Sequence, residues 1–333
     1  MRRFAWNFSW RKRRLLAQFV GASVTRLDLR RPPAPGDELF VWGMAPLPAG
    51  LPRDIRIRRV EDGFLRSVGL GAALAAPASW VIDGEGLHYD PSSPSKLERI
   101  LNAAPFAQEQ IERARHVRSM IVERGLSKYN LRGCPWSRPT GKDRLTILVP
   151  GQVMGDASVR CGAIGAVTTN VELLRAVRLE HPQAYLIYKR HPDVHAGLRN
   201  GADDNARDWA DQVVTDSDIA RLLEQVDRVH VLTSLAGFEA LLRGVPVTCY
   251  GMPFYAGWGL TDDRVKVGRR QRVLSLDELV AGALLVYPTY LHPIRRTPAR
   301  VEDVIHALSA QMTIPQRITQ KLAAVIMRRA PKS

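Results

Sequence analysis

The chain has 333 residues, 45% of them hydrophobic, and a formal net charge of +15. That apolar content supports a buried core and excludes extended disorder, and at about 150 residues per domain the length suggests two domains. Cys134, Cys161 and Cys249 fall at unrelated spacings without a CxxC pair. A disulfide framework and a cysteine zinc site are therefore unsupported, and the expected compartment is the cytoplasm.

The opening residues, MRRFAWNFSWRKRRLL, lack the apolar core of a signal peptide, and no run anywhere approaches the ~20 apolar residues of a membrane span. They carry Arg2, Arg3, Arg11, Lys12, Arg13 and Arg14 with no acid, interleaved with Trp6, Phe8 and Trp10. Basic and aromatic side chains in that mixture suit an anionic membrane surface, so a peripheral position at the inner membrane is expected. No helix-turn-helix, RNP-like or zinc-finger pattern accompanies the charge, and nucleic acid is not expected as a partner.

Strand-like runs follow at Leu39 to Trp42, Ile55 to Val60 and Trp80 to Ile82. Next comes one long helical pattern from Ser95 to Arg124 and a Gly, Pro and Trp-rich segment, Gly133 to Gly141, that reads as a hinge. A second set of strands is expected at Leu145 to Pro150, Tyr185 to Tyr188, Gln212 to Val214, Val229 to Leu232 and Val245 to Tyr250. Strands alternating with helices give an α/β chain of two Rossmann-like domains facing a cleft. The boundaries are 1–140, 141–293 and a closing segment 294–333. In that tail Ile318, Leu322, Val325 and Ile326 fall at helical spacing beside Arg317, Lys321, Arg328 and Arg329. Two readings stay open there, a helix lying on lipid and a helix packed on the body.

Four islands at strand ends carry chemistry. In Val60-Glu-Asp-Gly-Phe-Leu-Arg-Ser-Val-Gly-Leu-Gly71 the adjacent carboxylates Glu61 and Asp62 can supply a general base whose pKa the neighbouring charge raises. In Leu148-Val-Pro-Gly-Gln-Val-Met-Gly-Asp-Ala-Ser158, Asp156 is either a helix cap or a nucleophilic carboxylate. Leu186-Ile-Tyr-Lys-Arg-His-Pro-Asp193 ends a strand with Lys189, Arg190 and His191, donors suited to a phosphate. Finally Thr233 and Ser234 can cap a helix from Phe238 to Arg243, with Gly237 admitting a ligand to the backbone. Beyond the next strand, Met252-Pro-Phe-Tyr-Ala-Gly-Trp-Gly-Leu260 places Tyr255 and Trp258 as a binding-site wall. Asp203-Asp204 and Asp262-Asp263 read as surface turns.

Together these islands resemble the bacterial capsule β-Kdo transferases, which build a short 3-deoxy-D-manno-octulosonic acid (Kdo) linker on a phospholipid. The resemblance runs from about Phe40 to about Pro293, and is closest to the second module of the tandem enzymes through Pro150-Gly-Gln-Val and Thr169-Asn-Val-Glu-Leu-Leu. It implies a GT-B-like retaining glycosyltransferase in capsular polysaccharide biosynthesis and export, with CMP-β-Kdo as donor and a lipid-linked or Kdo-oligosaccharide acceptor. By the same resemblance Asp156 is the nucleophile, Glu61 or Asp62 the acceptor's base, and His191 with Lys189 the phosphate holders. Ser234, Gly237, Thr233, Gln152, Ser158 and Pro192 then belong to the nucleotide-sugar site, and Glu239 accepts from the ribose hydroxyls. No cofactor or metal is expected, since CMP is already a tolerable leaving group. Other capsule assembly enzymes are expected partners. Two other readings stay open: an inverting, sialyltransferase-like enzyme in which Asp156 is structural, and a non-catalytic assembly factor.

Overall fold

The computed structural model describes residues 1–70, 75–103, 105–139, 144–199, 201 and 203–313. The helical spacing read between 317 and 329 lies outside these residues, as do Gly71 and Gly141.

The first sheet begins at β1 (Arg3–Trp6), followed by α1 (Trp10–Val20), β2 (Thr25–Arg26), β3 (Glu38–Trp42), β4 (Arg56–Asp62) and β5 (Ser79–Asp83). Its order is closed on one side by a much later strand, β12 (Pro288–Tyr290), giving β12-β5-β4-β3-β1-β2. The four strands from β4 to β2 are parallel, β5 is antiparallel to β4, and β12 is antiparallel to β5. The opening segment, expected at a membrane surface, thus supplies an internal strand. The alternation hidden in Arg3-Phe-Ala-Trp6 explains it, with Phe4 and Ala5 buried on opposite faces, in different apolar clusters. Phe8 packs edge-on against Trp42 and Trp80, and the Trp6 indole donates to the Pro46 carbonyl. Trp10 alone of these aromatics stays in solvent, with Arg11 and Arg14 over its ring.

The long helical pattern is two helices, α2 (Lys96–Asn102) and α3 (Gln108–Glu123). Pro105 lies between them, and proline disfavours the helical conformation in the residue before it. The segment read as a hinge is pinned to the second half: Trp136 donates to Gln212, and Arg138 makes a bidentate pair with Asp227 at 3.0 and 2.5 Å.

The second sheet contains β6 (Thr146–Pro150), β7 (Tyr185–Lys189), β8 (Gln212–Val214), β9 (Arg228–Val231), β10 (Val247–Cys249) and β11 (Asp262–Asp263). All are parallel, in the order β11-β10-β9-β6-β7-β8. Its helices are α4 (Ala157–Gly162), α5 (Asn170–Glu180), α6 (Pro192–His195), α7 (Ile219–Leu223) and α8 (Leu235–Leu242). Strand order reverses between β6 and β9, and ligands of such sheets bind beyond the strand ends at that point. The two predicted surface turns differ from expectation. Asp203 is buried and accepts from Tyr188 and Arg190, whereas Asp262 and Asp263 form the edge strand β11.

The chain then crosses back. Helix α9 (Leu276–Val280) continues into a π-helical turn, Ala281–Val286, and both pack on α3, as does α10 (Val301–Thr313). β12 therefore belongs to the first sheet although its residues fall inside the segment 141–293 assigned to the second domain. One apolar cluster joins Phe64 and Leu87 of the first half, Leu97, Val117 and Ile121 of α2 and α3, and Val229, Phe238 and Trp258 of the second. Each large side chain fully buried there contributes about 1.5–3 kcal/mol, so the two sheets share one core.

Candidate active site

The carboxyl ends of β4, β6, β7 and β9 open on one cavity of about 470 Å³. Glu61, Asp62, Gln152, Asp156, Ser158, Lys189, His191, Pro192, Thr233, Ser234 and Glu239 all line it.

On the first-sheet side, Glu61 and Asp62 are successive residues of an extended strand, so their side chains part company. Asp62 accepts from the Arg66 guanidinium at 2.6 Å and from the Trp80 indole at 3.1 Å, and Arg66 is itself buried. Asp62 is spent on this ion pair. Among the described residues Glu61 accepts only from the Asp62 backbone N–H at 2.9 Å and the Tyr89 hydroxyl at 3.2 Å. Burial, and then the neighbouring Asp62 charge, raise the Glu61 pKa, opposed by the Asp62 N–H and the charges of Lys128 and Lys12.

On the second-sheet side, Asp156 stands at the amino end of α4 without capping it. Its carboxylate is half exposed, 3.9 Å from Arg199, and has no other partner among the described residues. The His191 Nδ1 accepts from the Asp193 backbone N–H at 3.1 Å, which leaves the ring proton on Nε2. Burial holds its pKa down to about 4, so the ring is a neutral donor near pH 7. Lys189 is buried with no hydrogen bond or ion pair among the described residues, and desolvation lowers its pKa. Ser234 caps α8, its Oγ accepting from the Ala236 N–H at 3.3 Å. The helix starts at Leu235, three residues earlier than the spacing suggested, which brings its amino end to the cavity. Gln152 and Thr233 brace the ends of β6 and β9: the Gln152 amide donates to Thr233 Oγ1 and accepts from the Thr233 N–H, both at 3.0 Å. Glu239 accepts from the Lys128 N–H at 2.7 Å, and burial raises its pKa.

Three predicted residues are placed elsewhere. Tyr255 and Trp258 are fully buried, and Gly237 does not line the cavity. A Cβ on Gly237 would collide with the Tyr255 hydroxyl, which donates to the Ser234 carbonyl. The glycine thus admits a tyrosine, not a ligand, and that tyrosine holds the cap residue of α8. From the aromatic-glycine loop only Pro253 and Phe254 reach the cavity. Arg190 lines it but is paired with Asp203 at 3.1 Å.

The sequence did not point to Lys128, Tyr89, His88 or Arg199, and placed Lys12 at the membrane; all five line the cavity. Lys12 Nζ sits 3.3 Å from the Trp42 ring centroid, near the charges of Asp62 and Glu61. Only its helical offset from the buried Leu16 and Phe19 on α1 was a signal that this lysine turns toward the body. The site is therefore a pocket with a carboxylate pair at one strand end and cationic, N–H-rich donors at the others.

Two consecutive stretches, residues 50–135 and 136–292, match the model of a family described as capsule polysaccharide biosynthesis protein. The chain belongs to that family. It is 45% identical over 269 residues to the capsule polysaccharide modification protein LipA of Neisseria meningitidis serogroup A, and 42% identical over 296 residues to the lipopolysaccharide-processing protein LpsZ of Rhizobium meliloti. These matches cover 80% and 86% of this chain, but 37% of LipA and 67% of LpsZ. The chain thus spans well under half the length of LipA. Among solved structures, the β-Kdo 2,4 transferase of Thermosulfurimonas dismutans KpsC superposes with a TM-score of 0.80 at 34% identity, covering 92% of this chain and 98% of that one. The β-Kdo 2,7 transferase of the same protein gives 0.76 at 37%, covering 93% and 99%. This member of the capsule family thus has the fold of Kdo transferases over nearly all of each solved chain, which supports a glycosyltransferase. None of its described helices is long and apolar enough to cross a membrane.

Proposed function

We propose that this chain transfers Kdo from CMP-β-Kdo, with retention of configuration, to a lipid-linked or Kdo-bearing acceptor in capsule assembly. The observation that carries the reading is that Asp156, at a helix start where aspartate ordinarily caps, leaves its carboxylate uncapped and turned to the cavity that holds Glu61, Lys189 and His191.

In the first step an Asp156 carboxylate oxygen attacks the anomeric carbon. The bond from that carbon to the phosphate oxygen breaks, and CMP leaves with the electron pair. Lys189, the His191 Nε2–H and the amino end of α8 with Ser234 stabilise the charge gathering on the phosphate. In the second step an acceptor hydroxyl attacks the same carbon, the ester to Asp156 breaks, and the hydroxyl proton passes to Glu61. Two inversions restore the configuration. Glu61 fits the base because burial and the Asp62 charge raise its pKa above the ordinary glutamate value while Asp62 is occupied by Arg66. Glu239 serves the ribose hydroxyls. Fixed cations supply the neutralisation that a divalent metal gives other transferases, so the transfer is metal-independent. The exposed Trp10 with Arg11 and Arg14 gives α1 a contact for anionic lipid, which keeps the enzyme beside its acceptor and the other capsule enzymes.

Intact-protein mass spectrometry with freshly generated CMP-Kdo tests the scheme. A Kdo-sized adduct on the wild type, absent from Asp156→Ala, is the expected outcome. CMP release and product without an adduct would assign the chain to inverting chemistry, and no CMP release at all would assign it a binding role.

A further inference from the structure

On the face of the second sheet that α5 covers, away from the cavity, Glu180, His181 and His230 bring one carboxylate oxygen and two imidazole nitrogens within 4.8 Å of one another. His230 is central to β9, and its side chain turns into the apolar layer formed with Leu173, Leu174 and Val177 of α5. It is completely buried, and neither ring nitrogen has a hydrogen-bond partner among the described residues. His181 Nε2, at the carboxyl end of α5, is likewise buried and unbonded. A neutral imidazole carries one N–H and one lone pair, so the two nitrogens of His230 and the Nε2 of His181 are three buried atoms with unmet demand. Buried polar atoms are ordinarily satisfied, and an unsatisfied group marks an absent partner.

We propose that Glu180, His181 and His230 form a structural binding site for a zinc-class divalent transition metal. Two imidazoles and a carboxylate are the donor set such ions take, whereas magnesium and calcium demand oxygen. Bonds of about 2.0–2.2 Å hold tetrahedral ligands roughly 3.4 Å apart, so the three donors need close by little more than an ångström. The carboxylate is already oriented, because the Tyr250 hydroxyl donates to Glu180 Oε2 at 2.8 Å. Arg264 opposes the ion, since its guanidinium pairs with Glu180 Oε1. It can yield: its side chain is 38% exposed and has a second partner in Asp262 Oδ2, 3.4 Å away. The bound ion ties the end of α5 to β9, the strand that runs into Thr233 and Ser234. It stands apart from the transfer chemistry and takes no part in it.

The full chain, stripped with a chelator and dialysed against trace zinc, is expected to retain one equivalent by atomic spectroscopy. Cobalt in its place should give the intense visible absorption of a tetrahedral site, and millimolar magnesium should not compete. His181→Ala and Glu180→Gln alter partly exposed side chains and should weaken zinc binding at least about tenfold while leaving the metal-free melting temperature unchanged. If either variant fails to fold, the other decides. A wild type that retains no zinc, or variants that bind it as the wild type does, would overturn the site.

Discussion

The two sides of the cavity are both strand ends loaded with charge, yet they handle that charge in opposite ways. At the end of β4, Asp62 is closed off by Arg66 and Trp80, and only Glu61 is left with capacity to exchange a proton. At the ends of β6, β7 and β9, the Asp156 and Lys189 side chains hold no hydrogen bond among the described residues, and His191 spends one nitrogen to aim the other. A folded chain gains stability by pairing buried charge, so groups left unpaired at a strand end are reserved for something else. The first side therefore separates a structural acid from a working one, and the second keeps several donors for an anion.

The sharpest way to break this contrast is to change the two neighbours on β4 separately. Glu61→Gln removes the proton acceptor and keeps the shape, so kcat/KM should fall by about 10²–10⁴ with little change in melting temperature. Its pH profile carries a sign. A base with a raised pKa is inactive until pH climbs through that raised value, so the wild type's acidic limb should lie above the range of an ordinary glutamate. That limb should vanish from the residual rate of the variant. His191, held neutral down to about pH 4, should add no second limb near neutrality. Asp62→Asn should do the reverse of Glu61→Gln. It leaves the Arg66 charge, buried and without its counterion, and should cost about 3 kcal/mol in chemical denaturation with a smaller loss of rate. A stable, inactive Asp62→Asn would reassign the base.

How much of this was legible follows the same divide. The strands β3 to β5 and β6 to β10 were readable because apolar runs bounded by Gly and Pro leave few alternatives. β1 was not, since six basic residues among the first fourteen made Arg3–Trp6 look like a surface segment, and β12 was hidden because Pro288–Tyr290 pairs with β5, far away in the sequence. At the site, the hydrogen-bond donors at strand ends could be found by residue type. Whether Glu61 or Asp62 was free could not, because that depends on Arg66 and Trp80 arriving from the turn and from β5. Lys12 and Lys128 reach the cavity from α1 and from the loop after α3, and no spacing in the sequence joins those segments to the strand ends.

The second side can be tested through Lys189. Replacing it with Met keeps the length of the side chain and removes a desolvated charge, so the fold should hold or gain slightly while kcat/KM drops about 10²-fold. A loss of stability instead would mean that the ammonium has a structural partner that Asp216, Asp218 and Glu239 supply at longer range.

Gly237 gives the smallest and most local test, because its role was read one way from sequence and another from packing. If it admits a ligand, Gly237→Ala should leave the fold alone and weaken donor binding. The packing says otherwise: the new methyl would meet the Tyr255 hydroxyl, itself anchored on the Ser234 carbonyl in a fully buried position. Overpacking of this kind costs typically 1–3 kcal/mol, so a loss of about 2 kcal/mol in stability is expected. Adding Tyr255→Phe removes the colliding oxygen and should restore part of that loss. The donor KM of the double variant should remain above the wild-type value, because without the hydroxyl the Ser234 carbonyl keeps the Gly237 N–H at 3.1 Å but loses the tie that fixes the start of α8 to the aromatic-glycine loop.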